Sequence, residues 1–409
     1  MPLASRPRRP VLPADLLDTA AGPEGARLAG ALLAWYDAGH RDLPWRPESP
    51  SARDPYRSWL SEIMLQQTRV ETVGPYYARF LERFPTVQAL AAAPLDEVLR
   101  LWSGLGYYSR ARNLHAAARQ VAARGSFPDT AADLRSLPGV GPYVAGAVAS
   151  IAFGRDEPAV DGNVERVLSR LWAWDGGGER PVRAGVEALA RAMLPAGRAG
   201  DFNQALMDLG SGVCLPRVPR CASCPLATGC RALAADAVAA FPPRRTRRAA
   251  PHREAVGLVL ARRARILLAR RPDQGLFGGL YELPGDFLEP GEEVEAGARR
   301  LARSRLGMEA QVVARHGAVS HTLTHMEILL HVVEVSPAGP DLVAAPGASP
   351  AVPDVLPVGY TAAAWILPDD ADSLALSSLA RKALALATVG TAGKRAPGPS
   401  PAQRPPTTR

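Results

Sequence analysis

Apolar positions recur at helical spacing from residue 25 to about 235, interrupted by turn-rich stretches at 46–55 (RPESPSARDP), 104–106 and 137–141 (LPGVG). This part of the chain is predicted to be all-α. The pattern lapses over 236–253, AVAAFPPRRTRRAAPHRE, where adjacent prolines precede Arg244, Arg245, Arg247 and Arg248, the composition of an exposed basic linker. Beyond it, short apolar runs at 255–260, 266–269 and 328–335 read as strands around one helical stretch at 292–306. The expected organisation is therefore a helical domain over 25–235, the linker over 236–253 and an α+β domain over 254–387. Residues 1–24 and 388–409, rich in Pro, Arg, Gly, Ser and Thr, are expected to be disordered tails. No internal repeat stands out.

Composition narrows the class. Apolar residues make up 47% and charged residues 22%, and no run of roughly 18 uninterrupted apolar residues occurs, so a membrane span is not expected. The first residues contain arginine and proline without an apolar signal core, so a cytoplasmic protein is expected, nucleoid-associated if bacterial. Net charge is +8, carried almost wholly by arginine, the side chain suited to bidentate phosphate contact. A polyanionic partner or a compositional bias toward arginine would each produce this balance, and motifs must separate the two.

All four cysteines lie in CLPRVPRCASCPLATGC, spaced C-x6-C-x2-C-x5-C as Cys214, Cys221, Cys224 and Cys230. Four soft thiolates this close suit one metal centre. With only one C-x2-C knuckle the spacing favours a [4Fe-4S] cluster; zinc is the alternative and disulfides a third. Arg217 and Arg220, on the proline-stiffened loop between the first two cysteines, form a basic finger for a phosphate backbone or simply a solvated loop.

LPGVG ahead of a helical pattern is a tight turn whose backbone N–H groups, around Gly139 and Gly141, can bind phosphate oxygens at a helix N-terminus. Twenty residues on, PAVDGNVERVLSRL places Asp161 where it caps a helix or supplies a carboxylate beside that turn. The turn, the aspartate and the cysteine array resemble the helix-hairpin-helix, Gly/Pro-Asp superfamily of DNA glycosylases that carry an iron–sulfur cluster. Within it, WLSEIMLQQTRV, GLGYYSRARNLH, VDGNVERV and FNQALMDLGSGVC are similar to the MutY family of adenine glycosylases, and with the second domain the likeness covers nearly the whole chain.

The resemblance implies a monomeric enzyme that acts on duplex DNA containing 8-oxoguanine:A or G:A mispairs. Breaking an N-glycosidic bond calls for an acid to protonate the leaving base and an anion to stabilise the sugar cation. Glu62, in an apolar helical setting that should raise its pKa, is the expected acid; the family pattern makes it protonate adenine at N7 and later activate water, while Asp161 stabilises the sugar cation or forms a transient covalent adduct with it. Gln66, four residues on, is expected on the same helix face, with Gln67 turned aside. By resemblance Gln67 enters the duplex, Tyr107 wedges beside the oxidised guanine, and Asn163 belongs to the DNA-contacting set. Arg41, Leu43 and Trp45 alternate along RDLPW and, with Gln204, match positions that line the adenine pocket. Where the related endonuclease III has a strand-cleaving lysine this chain has Tyr143, which cannot form an imine; its hydroxyl is expected to bond Asp161 or a bound water. An endonuclease III-like lyase on pyrimidine lesions, and a DNA-binding protein without catalysis, are the competing readings.

GLFGGLYELPGDFLEPGEEVEAGARRLARSRLG resembles a Nudix box, with Glu292 and Arg300 at two of its positions. Its remaining glutamate positions hold Leu301, Ser304 and Arg305, so Mg²⁺ binding, and with it nucleotide hydrolysis, is expected to fail. The resemblance makes this an 8-oxoguanine recognition module. The family's Phe-Ser-His loop appears here as Val319, Ser320 and His321; the latter two are expected at the oxidised guanine, and Val319 removes an aromatic contact.

Overall fold

The computed structural model describes residues 12–46, 53–176, 182–243, 250–338 and 356–392. The chain divides into two compact units, Met1–Leu95 with Ser109–Arg247, and Asp96–Tyr108 with Arg248–Arg409.

The first unit is helical. Asp54 caps the Pro55–Leu65 helix by accepting from the Tyr56 backbone N–H at 2.8 Å, and proline fills its first turn, where no N–H is needed. That helix is buried along most of its length, Trp59, Leu60 and Met64 completely. Its end is set by Arg110, whose guanidinium donates to the carbonyls of Ile63, Met64 and Gln66 at 3.0, 2.8 and 2.5 Å. Gly146 on the Pro142–Phe153 helix lets that helix touch the chain before Asp161, since a Cβ there would stand 2.1 Å from the Pro158 carbonyl oxygen. Leu28, Leu32, Val164, Leu168, Phe202 and Leu206 belong to one core formed by the Pro23–Gly39, Gly162–Leu171 and Ala199–Gly212 helices.

The second unit is α+β. A four-stranded sheet has the order β5 (Gly285–Phe287), β1 (His252–Val259), β7 (Glu327–Pro337), β6 (Ala310–Thr322), with β1 and β7 parallel and the other pairs antiparallel. In a second sheet, β3 (Arg265–Arg270) pairs with β2 (Ala261–Arg262), β4 (Tyr281–Glu282) and β8 (Ala362–Ile366). Alternation along β1 shows why its run is apolar throughout. Val256 and Leu258 join the core of the Val294–Leu306 helix, and Ala255 and Val259 join cores that include residues of the Ser378–Ala392 helix, so both faces are covered.

Several expected boundaries change. The expected N-terminal tail contains a helix, Ala14–Ala21, whose Leu16 and Ala20 are buried, and Pro23–Gly39 follows it. Amphipathic spacing outweighs the proline and arginine of the preceding stretch. The expected C-terminal tail begins inside the Ser378–Ala392 helix, where Ala387 is still core. The linker loses both ends, to a short turn at Val238–Ala240 and to β1; its arginines at 244–248 lie outside the described residues, as do 1–11 and 393–409. Asp96–Tyr108, expected in the helical domain, groups with the second unit, where Asp96 pairs with Arg270 at 2.8 Å and Tyr108 donates to the Leu376 carbonyl at 3.1 Å. No described helix is long and apolar enough to cross a membrane.

Candidate active site

One cavity of about 730 Å³ in the helical unit collects side chains from across the sequence. Glu62, Gln66, Gln67, Gly141, Tyr143, Asp161, Asn163, Arg41, Leu43, Trp45 and Gln204 all line it. Gly139 precedes it in the turn at φ +77°, where an added Cβ would meet Asn113 at 2.8 Å. Arg217 and Arg220 are exposed on the cysteine loop. Tyr107, Ser320 and His321 belong to the second unit.

Glu62 is 6% exposed, and its carboxyl is pushed up to about 7, first by burial and further by the charge of Asp161, against the opposing pull of a hydrogen bond and of Arg46. The hydrogen bond comes from Tyr143, whose hydroxyl donates to Glu62 Oε2 at 2.5 Å. Burial, with the nearby carboxylates, holds the Tyr143 phenol well above its ordinary value, so it remains a donor. Of the two partners expected for Tyr143, Asp161 or a bound water, the carboxyl group it meets is that of Glu62 and not Asp161. Asp161 caps the Gly162–Leu171 helix, accepting from the backbone N–H groups of Asn163 and Val164 at 2.8 and 2.7 Å and from Asn163 Nδ2 at 2.9 Å. A helix N-terminus favours a negative charge at that place. The cavity thus holds one carboxyl whose surroundings favour the proton and one that caps a helix.

Gln66 is not on the helical face of Glu62. The helix ends at Leu65, Gln66 leaves it at ψ 114°, and Gln67 adopts the left-handed region at φ +57°; both still reach the cavity wall. Local spacing misleads here because the terminator, Arg110, lies more than forty residues along the chain.

Arg46 and Asp208 are site residues that the sequence did not single out. Their guanidinium and carboxylate meet in two bonds of 2.6 and 3.0 Å, 9% and 5% exposed, in the wall of the cavity. Asp208 stands four residues after Gln204, on the same face of the Ala199–Gly212 helix, and Arg46 directly follows Trp45, so proximity to recognised positions was the available signal. Arg46→Met is expected to lower stability by about 3–5 kcal/mol, because it strands a buried carboxylate. Urea unfolding of the full chain measures this; an unchanged midpoint would show that Asp208 finds another partner or is hydrated.

The four cysteines, all partly buried, line a second, apolar cavity with Leu171, Leu209 and Leu226. Among the described residues no three His, Cys, Asp or Glu side chains converge as a single ion requires. Four soft donors spread around one void fit a cluster better than a lone zinc ion. Arg170, 3% exposed, braces the loop: it donates to Cys214 Sγ at 3.3 Å and to the carbonyls of Leu215 and Pro216 at 2.8 and 3.1 Å. Arg166 bonds the Cys214 carbonyl at 2.8 Å and Asn163 Oδ1 at 2.9 Å, so the loop and the cap of Asp161 share one hydrogen-bond network.

Residues 60–191 match the model of the HhH-GPD superfamily base excision DNA repair protein, and residues 255–386 match that of the NUDIX domain. The chain is 38% identical to the mouse adenine DNA glycosylase over 374 residues, 78% of this chain and 72% of the relative. The chain belongs to the adenine DNA glycosylase family. The human adenine DNA glycosylase is 38% identical over 74% of this chain and 66% of its own length, and the Arabidopsis thaliana protein 38% over 70% and 51%. This chain thus spans between half and about three quarters of these relatives.

In the NUDIX region Leu301 is buried in the core, and charged residues of the box-like stretch are held in ion pairs. Glu292 is held by Arg300 at 2.6 Å, which draws its carboxyl down to about 2, and Arg305 pairs with Asp286.

Proposed function

We propose that this protein is a monofunctional adenine DNA glycosylase that binds duplex DNA and hydrolyses the N-glycosidic bond of adenine opposite 8-oxoguanine or guanine. The observation that carries the reading is the pair of unlike carboxyls in one cavity, Glu62 buried and held near a pKa of about 7 and Asp161 bonded to backbone N–H groups as a helix cap. Flipped into this cavity, adenine takes the Glu62 proton at N7 as the bond from the sugar to N9 breaks. Asp161 stabilises the positive charge that develops on the sugar. Water then adds to the sugar carbon and returns its proton to Glu62. Tyr143 keeps the acid in place and offers no amine for an imine, so the strand is left uncut.

Cys214, Cys221, Cys224 and Cys230 would hold a [4Fe-4S] cluster, which supplies a rigid anchor for the loop that presents Arg217 and Arg220 to the phosphate backbone. The NUDIX-like region reads the base opposite adenine through Ser320 and His321.

Single-turnover reactions on duplexes with 8-oxoguanine:A, G:A and thymine glycol test the reading. Protein loaded with iron and sulfide is expected to release adenine from the first two, with strand scission only after alkali. Activity on thymine glycol with spontaneous scission would favour the lyase reading instead.

A further inference from the structure

Val319, Ser320 and His321, expected in a loop, lie on β6 paired with β7, and the Val319 side chain points away from the surface. Val319 is 9% exposed and packs with Ala255, Ile328 and Leu379. Its neighbour Ser320 alternates outward along β6, where its hydroxyl donates to Glu327 at 2.9 Å. An aromatic ring nevertheless stands at this surface. Phe277, from the segment between β3 and β4, packs its ring on that of His321 with centroids 6.0 Å apart and planes inclined by 53°.

The conformation of Phe277 is a costly one. Its φ is +54°, in the left-handed region that a side chain with a Cβ seldom adopts, between Gly275 at φ +86° and Gly279 at φ +77°. Surrounding contacts hold it there: Leu276 and Phe277 pack on the same apolar cluster that buries Val319. Gly278 permits the tight turn, since a Cβ at that position would stand 2.4 Å from the Asp273 carbonyl oxygen. The hydroxyl of Tyr107 lies 3.5 Å from that of Thr324, which puts the expected wedge residue beside the same loop. Burial, with the charge of Lys382, keeps the His321 imidazole below its ordinary pKa, so it presents one donor and one acceptor nitrogen at neutral pH.

We infer that Phe277 is a positioning residue for His321, fixing its ring for recognition of the oxidised purine. The inference rests on the lesion-reading role proposed for His321. Its test compares single-turnover adenine release from 8-oxoguanine:A and G:A duplexes by the full chain. An aromatic pair of this geometry is expected to be worth about three- to tenfold in the ratio of the two rates. Phe277→Ala should lower that ratio while leaving the G:A rate unchanged. Phe277→Leu, which keeps the apolar packing without the ring, should do the same, and Phe277→Tyr should restore the ratio. In a His321→Ala background, Phe277→Ala should have no further effect. An unchanged ratio in both Phe277 variants, an equal fall on both duplexes, or a full loss that persists without His321 would overturn the inference. A wild-type ratio near one would instead refute the lesion-reading role, and the inference with it.

Discussion

Glu62→Gln is expected to slow adenine release by about 10²- to 10⁴-fold, the usual contribution of a positioned general acid. The amide keeps the size of the side chain and can still accept from Tyr143, so the cavity should stay formed and DNA binding should persist. In the wild type, release should be fastest while Glu62 is protonated and should fall as pH rises through about 7. Stability should fall in the same direction as activity, over a lower pH range. The folded state holds this proton more tightly than the unfolded chain, from an ordinary 4.5 up to about 7, so wild-type stability declines between those values and levels off above them. The shift corresponds to on the order of 3 kcal/mol. Glu62→Gln removes the titration and should therefore be the more stable protein at pH 8, with the advantage vanishing toward pH 4.5. Single-turnover rates and urea unfolding across pH 5–9 measure both. A variant that retains wild-type rates would exclude Glu62 as the acid.

Asp161→Asn is expected to reduce release by about 10²- to 10³-fold through loss of the anion alone. Asparagine caps helices as well as aspartate, so the Gly162–Leu171 helix should keep its N-terminus and the melting behaviour should change little. Asp161→Ala should lose the same activity and in addition about 1 kcal/mol of stability, because the two backbone N–H groups it serves lose their acceptor. The pair of variants separates chemistry from capping. If the Asp161→Asn variant were fully active, the aspartate would be a helix cap only, and the cation on the sugar would need another stabiliser.

How far the site could be read beforehand depended on the range of the interaction. The apolar setting of Glu62, the capping position of Asp161 and the spacing of the four cysteines are local properties, set by residues within a few turns, and they were readable. The strands at 255–260, 266–269 and 328–335 were legible for a similar reason. The first is covered on both faces, which leaves it apolar throughout. β6 carried a weaker signal, since its exposed positions and two register shifts break the alternation.

Errors arose where a distant segment intervened. The expected face for Gln66 assumes that the helix continues, and Arg110 ends it. Tyr143 meets Glu62 rather than Asp161 because its partner lies 81 residues away, while the oxygens of Asp161 are taken by its own helix. The Arg46–Asp208 pair joins residues 162 apart. The ring of Phe277 meets His321 across 44 residues of sequence. The amino-acid order was sufficient to specify which chemistries the chain possesses, the helical character of the first domain and the apolar strands of the second. Which proton each carboxyl holds, and which ring stands behind which histidine, depended on burial and long-range packing, because desolvation and contact are properties of three-dimensional neighbours.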